Sequence, residues 1–166
     1  MPFKQQLFIP NKREYITGLS RPSVDCIICS IISDEPSVKN LTIWKNETVA
    51  ACVNLYPYNA GHLLLFPLRH IDDPRRLSHE EHKQMHQLLS ASMDRLESVY
   101  HPLGFNIGFN IGEASGASIE HLHQHVVPRY HRELGFVDIT AGAKIIIEDP
   151  QVTLNKLKDA FADLKF

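Results

Sequence analysis

Apolar positions along the chain recur with two different periods, and the changes between them mark out strands and helices. Leu41 to Lys45 and Thr48 to Asn54 are apolar, β-branched runs separated by Asn46 and Glu47, which predicts a hairpin with a short turn. Tyr56-Pro57-Tyr58-Asn59-Ala60-Gly61 is a cluster of turn residues. It feeds His62 to Leu68, a nearly all-apolar run that predicts a strand covered on both faces. Ser78 and Glu81 read as an N-cap with a capping box. Met85, Leu88, Leu89, Ser92, Met93, Leu96 and Val99 then recur at three- and four-residue steps, one stripe of a helix of about five turns. Pro102 and Gly104 end that helix. Phe105 to Ile111 alternates apolar with polar or small residues, as a strand buried on one side should. His121 to Val127 alternates as well, and Lys144 to Glu148 is short and β-branched. Pro150 precedes a C-terminal helix with Val152, Leu154, Leu157, Ala160, Phe161 and Leu164 on one face. Strands grouped around one central amphipathic helix and one C-terminal helix predict an α+β fold with a mainly antiparallel sheet of about five strands.

A length of 166 residues suits one domain with its own core. Residues 1–25, interrupted by Pro2, Pro10, Gly18 and Pro22, read as an N-terminal arm, and residues 26–166 as a single domain. No apolar run approaches the length that spans a bilayer, and Met1 to Gly18 lacks an apolar core or a small-residue cleavage site. The expectation is a cytoplasmic protein without a membrane partner. A formal net charge of −2, with no clustered Lys or Arg, predicts no nucleic-acid partner, so any phosphate recognition must be local. Three cysteines, an odd number, make a disulfide framework an unsuitable reading. Cys52 is most simply a small buried hydrophobe.

The chemistry concentrates in His121-Leu122-His123-Gln124-His125. In an extended strand these imidazoles line one face while Leu122, Gln124 and Val126 take the other. Each can be a neutral nucleophile, a proton donor or a metal ligand near pH 7. An imidazole can attack phosphorus to form a phosphoramidate, and the middle histidine, His123, is the natural nucleophile because its neighbours can orient it from both sides. The preceding loop, Gly112 to Ser118, is built of small residues. Gly116, Ala117 and Ser118 let backbone N–H groups approach an anion, and Ser118 adds a hydroxyl. The same loop can also be read as a plain turn, and the histidines as a solvated edge strand. Cys26-Ile27-Ile28-Cys29, with His70 and His121, offers a donor set for tetrahedral zinc. The alternative is a pair of buried thiols. His79, His82 and His86 sit at helical spacing among charged neighbours and read as solvated, and His62 as a satisfied core polar group.

His121-Leu122-His123-Gln124-His125-Val126-Val127 resembles the signature of the histidine triad (HIT) family of nucleotide hydrolases and transferases, with Gln124 departing from its apolar pattern. Cys26 to Cys29, Asn54 to His62, Gly104 to Gly112 and Pro128-Arg129 also fall in family order, so the resemblance runs from about Cys26 to Lys144. It is nearest to the branch acting on diadenosine tetraphosphate, phosphorylases included. The resemblance implies that His123 takes the adenylyl group and that His121 and His125 orient it and stabilise charge. It further implies that Ser118 and Asn110 contact phosphates, and that Asn54 hydrogen-bonds the ribose. Relatives bind structural zinc at positions matching Cys26, Cys29, His70 and His121, and are commonly homodimers with a continuous sheet. Arg132 to Val137 departs from the Gly-Gly-Asp-rich stretch of the phosphorylase branch, which leaves water and inorganic phosphate open as acceptors. The expected substrate is a dinucleoside polyphosphate or a related AMP conjugate cleaved through a nucleotidyl-histidine. A non-catalytic nucleotide-binding module and a purely structural metal site are the other readings.

Overall fold

The computed structural model describes residues 22–131, 133 and 148–166. Most of the expected arm and most of the strand expected at Lys144 to Glu148 therefore lie outside the described residues. The chain runs α1 (Ile27–Ile32), β1 (Thr42–Lys45), β2 (Val49–Val53), β3 (Leu63–Pro67), α2 (His79–Tyr100), β4 (Gly104–Phe109), β5 (Gln124–Arg129) and α3 (Pro150–Phe161). The strands form one five-stranded sheet in the order β1-β2-β3-β5-β4, and every neighbouring pair is antiparallel. This is the α+β architecture expected from the two periods. Among the described residues, no helix is long and apolar enough to cross a membrane.

The pleat sorts side chains between two cores. Val49, Ala51 and Val53 of β2, Leu63 and Leu65 of β3, and Val126 of β5 face α2 and α3, where Met85, Leu88, Leu96, Leu154, Leu157 and Phe161 close the main core. The alternate residues Ala50, Cys52, Leu64 and Phe66 face the other way and pack with Ile28 of α1. Both faces of β2 and β3 are thus covered, which is why their runs carry no polar alternation. Among the described residues the second face is covered by the short α1 with Leu68 and Ile119 beside it, and the candidate site sits there.

Two elements differ from the sequence reading. The alternation in β4 predicts one buried face, yet all of its residues are half-buried or exposed, since among the described residues it is the terminal strand of the sheet. The strand expected at His121 to Val127 begins only at Gln124, whose partners Leu65 and Phe109 are the last rungs of both ladders. Just before it the chain is held by a different partner: the Leu122 N–H donates to the Ile71 carbonyl at 2.6 Å. His121 and His123 therefore lie outside the ladder, and His125 lies within it.

The predicted capping box at the start of α2 is present. Ser78 Oγ accepts from the Glu81 N–H at 3.1 Å, and a Glu81 carboxylate oxygen accepts from the Ser78 N–H at 2.7 Å. Glu81 is buried and also accepts from the Arg69 guanidinium at 3.0 and 2.7 Å, which ties the chain leaving β3 to the start of α2 and so fixes the backbone carrying His70. The Arg69 hydrogen bonds, aided by Ser78, hold the Glu81 carboxyl at about 2. A carboxylate depressed on folding stabilises the protein above its free value and ceases to do so as pH falls through the folded value. Glu81→Gln should cost about 1 to 2 kcal/mol at neutral pH, as expected for losing a cap and a charged hydrogen bond. In thermal melts the gap to the native protein should close as pH falls from about 4.5 to about 2. A gap independent of pH contradicts this assignment.

Candidate functional site

Because β5 pairs Leu64 with His125, the pleat sends His125 to the same face as Leu64, and Val126 to the helical core. His62, at the entry to β3, is fully buried, and its Nε2 lies 3.0 Å from His125 Nδ1. The Tyr58 N–H donates to His62 Nδ1 at 3.0 Å, so the His62 proton resides on Nε2 and is donated to His125 Nδ1. The proton of His125 is then on Nε2, where the Asn110 carboxamide lies 3.3 Å away. The Asn110 atom facing Nε2 is Nδ2, so this tautomer goes with the carboxamide turned over to present Oδ1 to the ring. The Tyr58 ring stacks within 4.9 Å of His62 and 5.8 Å of His125 and supports both. One backbone N–H thus sets the tautomers of two imidazoles in series.

His123 has the opposite assignment. Its Nδ1–H donates to the backbone carbonyl of His121 at 2.7 Å, leaving Nε2 as the lone-pair nitrogen. Burial lowers its pKa, which favours the neutral ring. The His123 and His125 rings meet edge to face at 5.0 Å. The pair therefore offers one Nε2 lone pair and one Nε2–H, the complement needed to attack a phosphorus and to donate to an oxygen on it.

Both histidines line a cleft of about 360 Å³. One end is apolar, walled by Ile27, Ile28, Ile31, Val38, Leu41 and Leu64, while Asn54, Asn110, Gly116 and Ser118 stand at the polar end. Asn54 Oδ1 accepts from the Tyr56 N–H at 3.1 Å, and its amide lies 3.2 Å from His62 Nδ1, so Asn54 braces the turn as well as lining the cleft. A second cleft of about 650 Å³ is lined by Cys26, His70, His121, Ala117, Asp72 and Glu113 among others, and shares Ile27, Asn110, Ser118 and Ile119 with the first. The shared residues mark where the two meet, and among them Asn110 reaches His125. Gly112 and Gly116 of the intervening loop adopt φ of +76° and +81°, conformations a glycine takes without strain.

His121 does not join His123 and His125 in the first cleft. It is buried against Cys26, Cys29 and His70, and the four ligand atoms of this group lie within 4.8 Å of one another. His121 Nδ1 is 3.7 Å from Cys26 Sγ and 3.5 Å from Cys29 Sγ, and His70 Nδ1 is 3.3 Å from Cys29 Sγ. A tetrahedron with metal–ligand bonds of about 2.0 to 2.3 Å has edges of about 3.3 to 3.8 Å, so these separations fit zinc. The His121 Nε2–H donates to the Pro67 carbonyl at 2.8 Å, which aims the Nδ1 lone pair at the sulfurs. Burial pushes His121 down to about 4, so it is neutral, as a metal ligand must be. Without a metal, burial and the neighbouring Cys26 push the Cys29 thiol up to about 11.

The structure thus brings together every candidate residue named from sequence, divided between two neighbouring sites, and adds His62. Sequence reasoning assigned His62 to the core because it opens an apolar strand. The signal for its contact is register: His125 pairs with Leu64, and His62, two residues earlier, shares that face as a diagonal neighbour.

The family model for the HIT domain matches residues 35–132, a span that includes all three histidines of the motif and excludes Cys26 and Cys29. The chain is 37% identical over 116 residues to the AP-4-A phosphorylase of Mycobacterium tuberculosis, a match covering 69% of this chain and 58% of that protein. It is 33% identical over 113 residues to Protein hit of Bacillus subtilis, covering 68% of this chain and 76% of that protein. The solved structure of a Zn-bound histidine triad family protein from Mycobacterium smegmatis superposes with a TM-score of 0.68 at 25% identity, covering 83% of this chain and 94% of that one. With its five-stranded sheet, its paired imidazoles and a family match over more than half its length, the chain belongs to the HIT domain family.

Proposed function

We propose that the protein cleaves dinucleoside polyphosphates, or related AMP conjugates, through a nucleotidyl group carried on His123. The observation that carries the reading is the hydrogen bonding of two imidazoles in one cleft, His123 Nδ1 on the His121 carbonyl and His125 Nδ1 on His62 Nε2, which assigns a lone pair to His123 Nε2 and a proton to His125 Nε2. The base packs among Ile27, Ile28, Val38 and Leu41, Asn54 meets the ribose, and Asn110 and Ser118 meet the phosphates where the two clefts join. His123 Nε2 attacks the α-phosphorus, and a P–N bond forms as the P–O bond to the leaving polyphosphate breaks. The Nε2–H of His125 donates to the departing oxygen, and backbone and hydroxyl donors of the Gly116 to Ser118 loop face the charge that develops. An acceptor oxygen then forms a P–O bond as the P–N bond breaks, and the acceptor's proton passes to the imidazole pair.

Water is the acceptor in this reading. Inorganic phosphate is the second reading, favoured by the similarity to the M. tuberculosis AP-4-A phosphorylase. Chromatography of products from diadenosine tetraphosphate separates them: AMP plus ATP means water, and ADP plus ATP formed only with phosphate present means phosphorolysis. His123→Ala should lower turnover by at least about 10³-fold. A variant with full turnover overturns the proposal, and nucleotide binding with no products from the native protein makes it a binding module.

Zinc fits Cys26, Cys29, His70 and His121 and would supply a closed structural centre there. Metal analysis of native protein should find about one zinc per chain, retained in His123→Ala because His123 is not among the ligands. Parallel loss of metal in that variant contradicts the division of roles. A homodimer suits the edge strand β4, where Ile107 is 41% exposed and Leu103, just before it, 76%, so that two such edges would continue one sheet.

His62 acts through His125. His62→Ala should lower kcat by on the order of 10- to 100-fold with little change in KM, because its side chain stands behind the cleft. His62→Gln, which retains an N–H to donate, should recover part of the loss. Equal losses in both variants would mean that His62 only fills space.

A further inference from the structure

The nucleophile and the thiol cluster share a single residue. His123 lies beyond the last rung of the ladder, and its Nδ1–H is held by the carbonyl of His121 at 2.7 Å. The side chain of that same His121 reaches into the cysteine pair. His121 to His123 are held against the sheet by the Phe66 ring edge-on to His121, by Leu122 N–H to the Ile71 carbonyl, by His121 Nε2–H to the Pro67 carbonyl, and by His121 Nδ1 to the sulfurs. Only the last is chemically labile. Cys26 and Cys29 are both partly exposed and stand three residues apart, and Cys26 lines the open second cleft. Cys52, by contrast, is buried in the sheet.

We infer that Cys26 and Cys29 form a peroxide-oxidisable pair whose conversion to a disulfide releases the metal, unseats His121 and thereby switches off His123. This rests on the function proposed above and adds a regulation to it. The step balances with hydrogen peroxide as oxidant. The Cys26 thiolate attacks one peroxide oxygen, an S–O bond forms as the O–O bond breaks, and hydroxide leaves. The Cys29 thiolate then attacks that sulfur, an S–S bond forms as the S–O bond breaks, and a second hydroxide leaves. Two electrons pass from the sulfur pair to peroxide. The sulfurs, now within 4.8 Å of each other, must close to about 2 Å and so withdraw from both imidazoles. His121 Nδ1 is left buried without its partners, an arrangement costly enough to move the ring and its carbonyl. His125 keeps its seat, because the ladder, His62 and the Tyr58 ring hold it independently of His121.

The test treats zinc-loaded protein, labelled with ¹⁵N histidine, with hydrogen peroxide. It follows zinc with a chelating dye, the intact mass, the cysteine peptides, the imidazole nitrogen resonances and turnover. The expected result is release of the zinc, a mass loss of about 2 Da that maps to Cys26 and Cys29 with Cys52 still free, and a His123 signal shifted further than that of His125, whose ring it meets edge to face. Turnover should fall roughly 100-fold, as for a misplaced reacting group, and return with thiol reductant plus zinc. Disulfide formation and zinc release with His123 unmoved or turnover retained would overturn the inference, as would excess peroxide that leaves zinc and mass unchanged. Should the native protein turn over no nucleotide, the functional reading fails on its own, and the zinc, mass and His123 signals still decide whether the switch exists.

Discussion

The hydrogen bond from His123 Nδ1–H to the His121 carbonyl orders the whole site. It fixes which nitrogen of His123 carries the lone pair and which way the ring turns, and it does so with a backbone atom whose position depends on the side chain of His121. That side chain is buried and held between the Pro67 carbonyl on one ring nitrogen and the cysteine sulfurs on the other. A ladder would have held this segment by regular pairing. Here pairing stops at Gln124, and the preceding residues are held by the Leu122 N–H on the Ile71 carbonyl and by the side-chain contacts of His121.

Two positioning schemes therefore meet within a few residues. His125 belongs to the sheet: its direction comes from the pleat and its tautomer from the Tyr58 N–H acting through His62. His123 belongs to the cluster of α1, the exit of β3 and the stretch before β5. The Glu81 and Arg69 pair reaches the same cluster from behind, since it fixes the chain beside His70 to the start of α2. The rigid core of sheet and two helices thus positions one imidazole directly and the other through a chain of contacts. The first cleft, which holds both imidazoles, meets the second at Ile27, Asn110, Ser118 and Ile119.

Much of this was legible in the chain. The capping box of Ser78 and Glu81, the two-sided burial of β3 and the core stripe of α2 follow from local chemistry and period, and these features formed as read. The composition of the cysteine and histidine cluster was also legible, because few donor sets other than a metal site use such residues. Three features were not. His62 is the satisfied core polar group that its position suggests, but its contact with His125 comes from strand register, which no local pattern specifies. The three alternating histidines looked like one strand face, but alternation cannot reveal where a ladder ends, and the Ile71 carbonyl takes over at Leu122. The exposure of β4 depends on its place at the edge of the sheet, a topological fact that its own alternation does not encode.

The central claim is that His123 Nε2 takes the nucleotidyl group. The most direct test is rapid quenching of native protein with diadenosine tetraphosphate labelled at the α-phosphorus, followed by peptide mapping under alkaline conditions that preserve phosphoramidates. The account predicts label on the peptide containing His123, formed and lost at rates that match turnover, and lost on brief acid treatment. Label on another residue, or turnover with no bound label at any quench time, would contradict it.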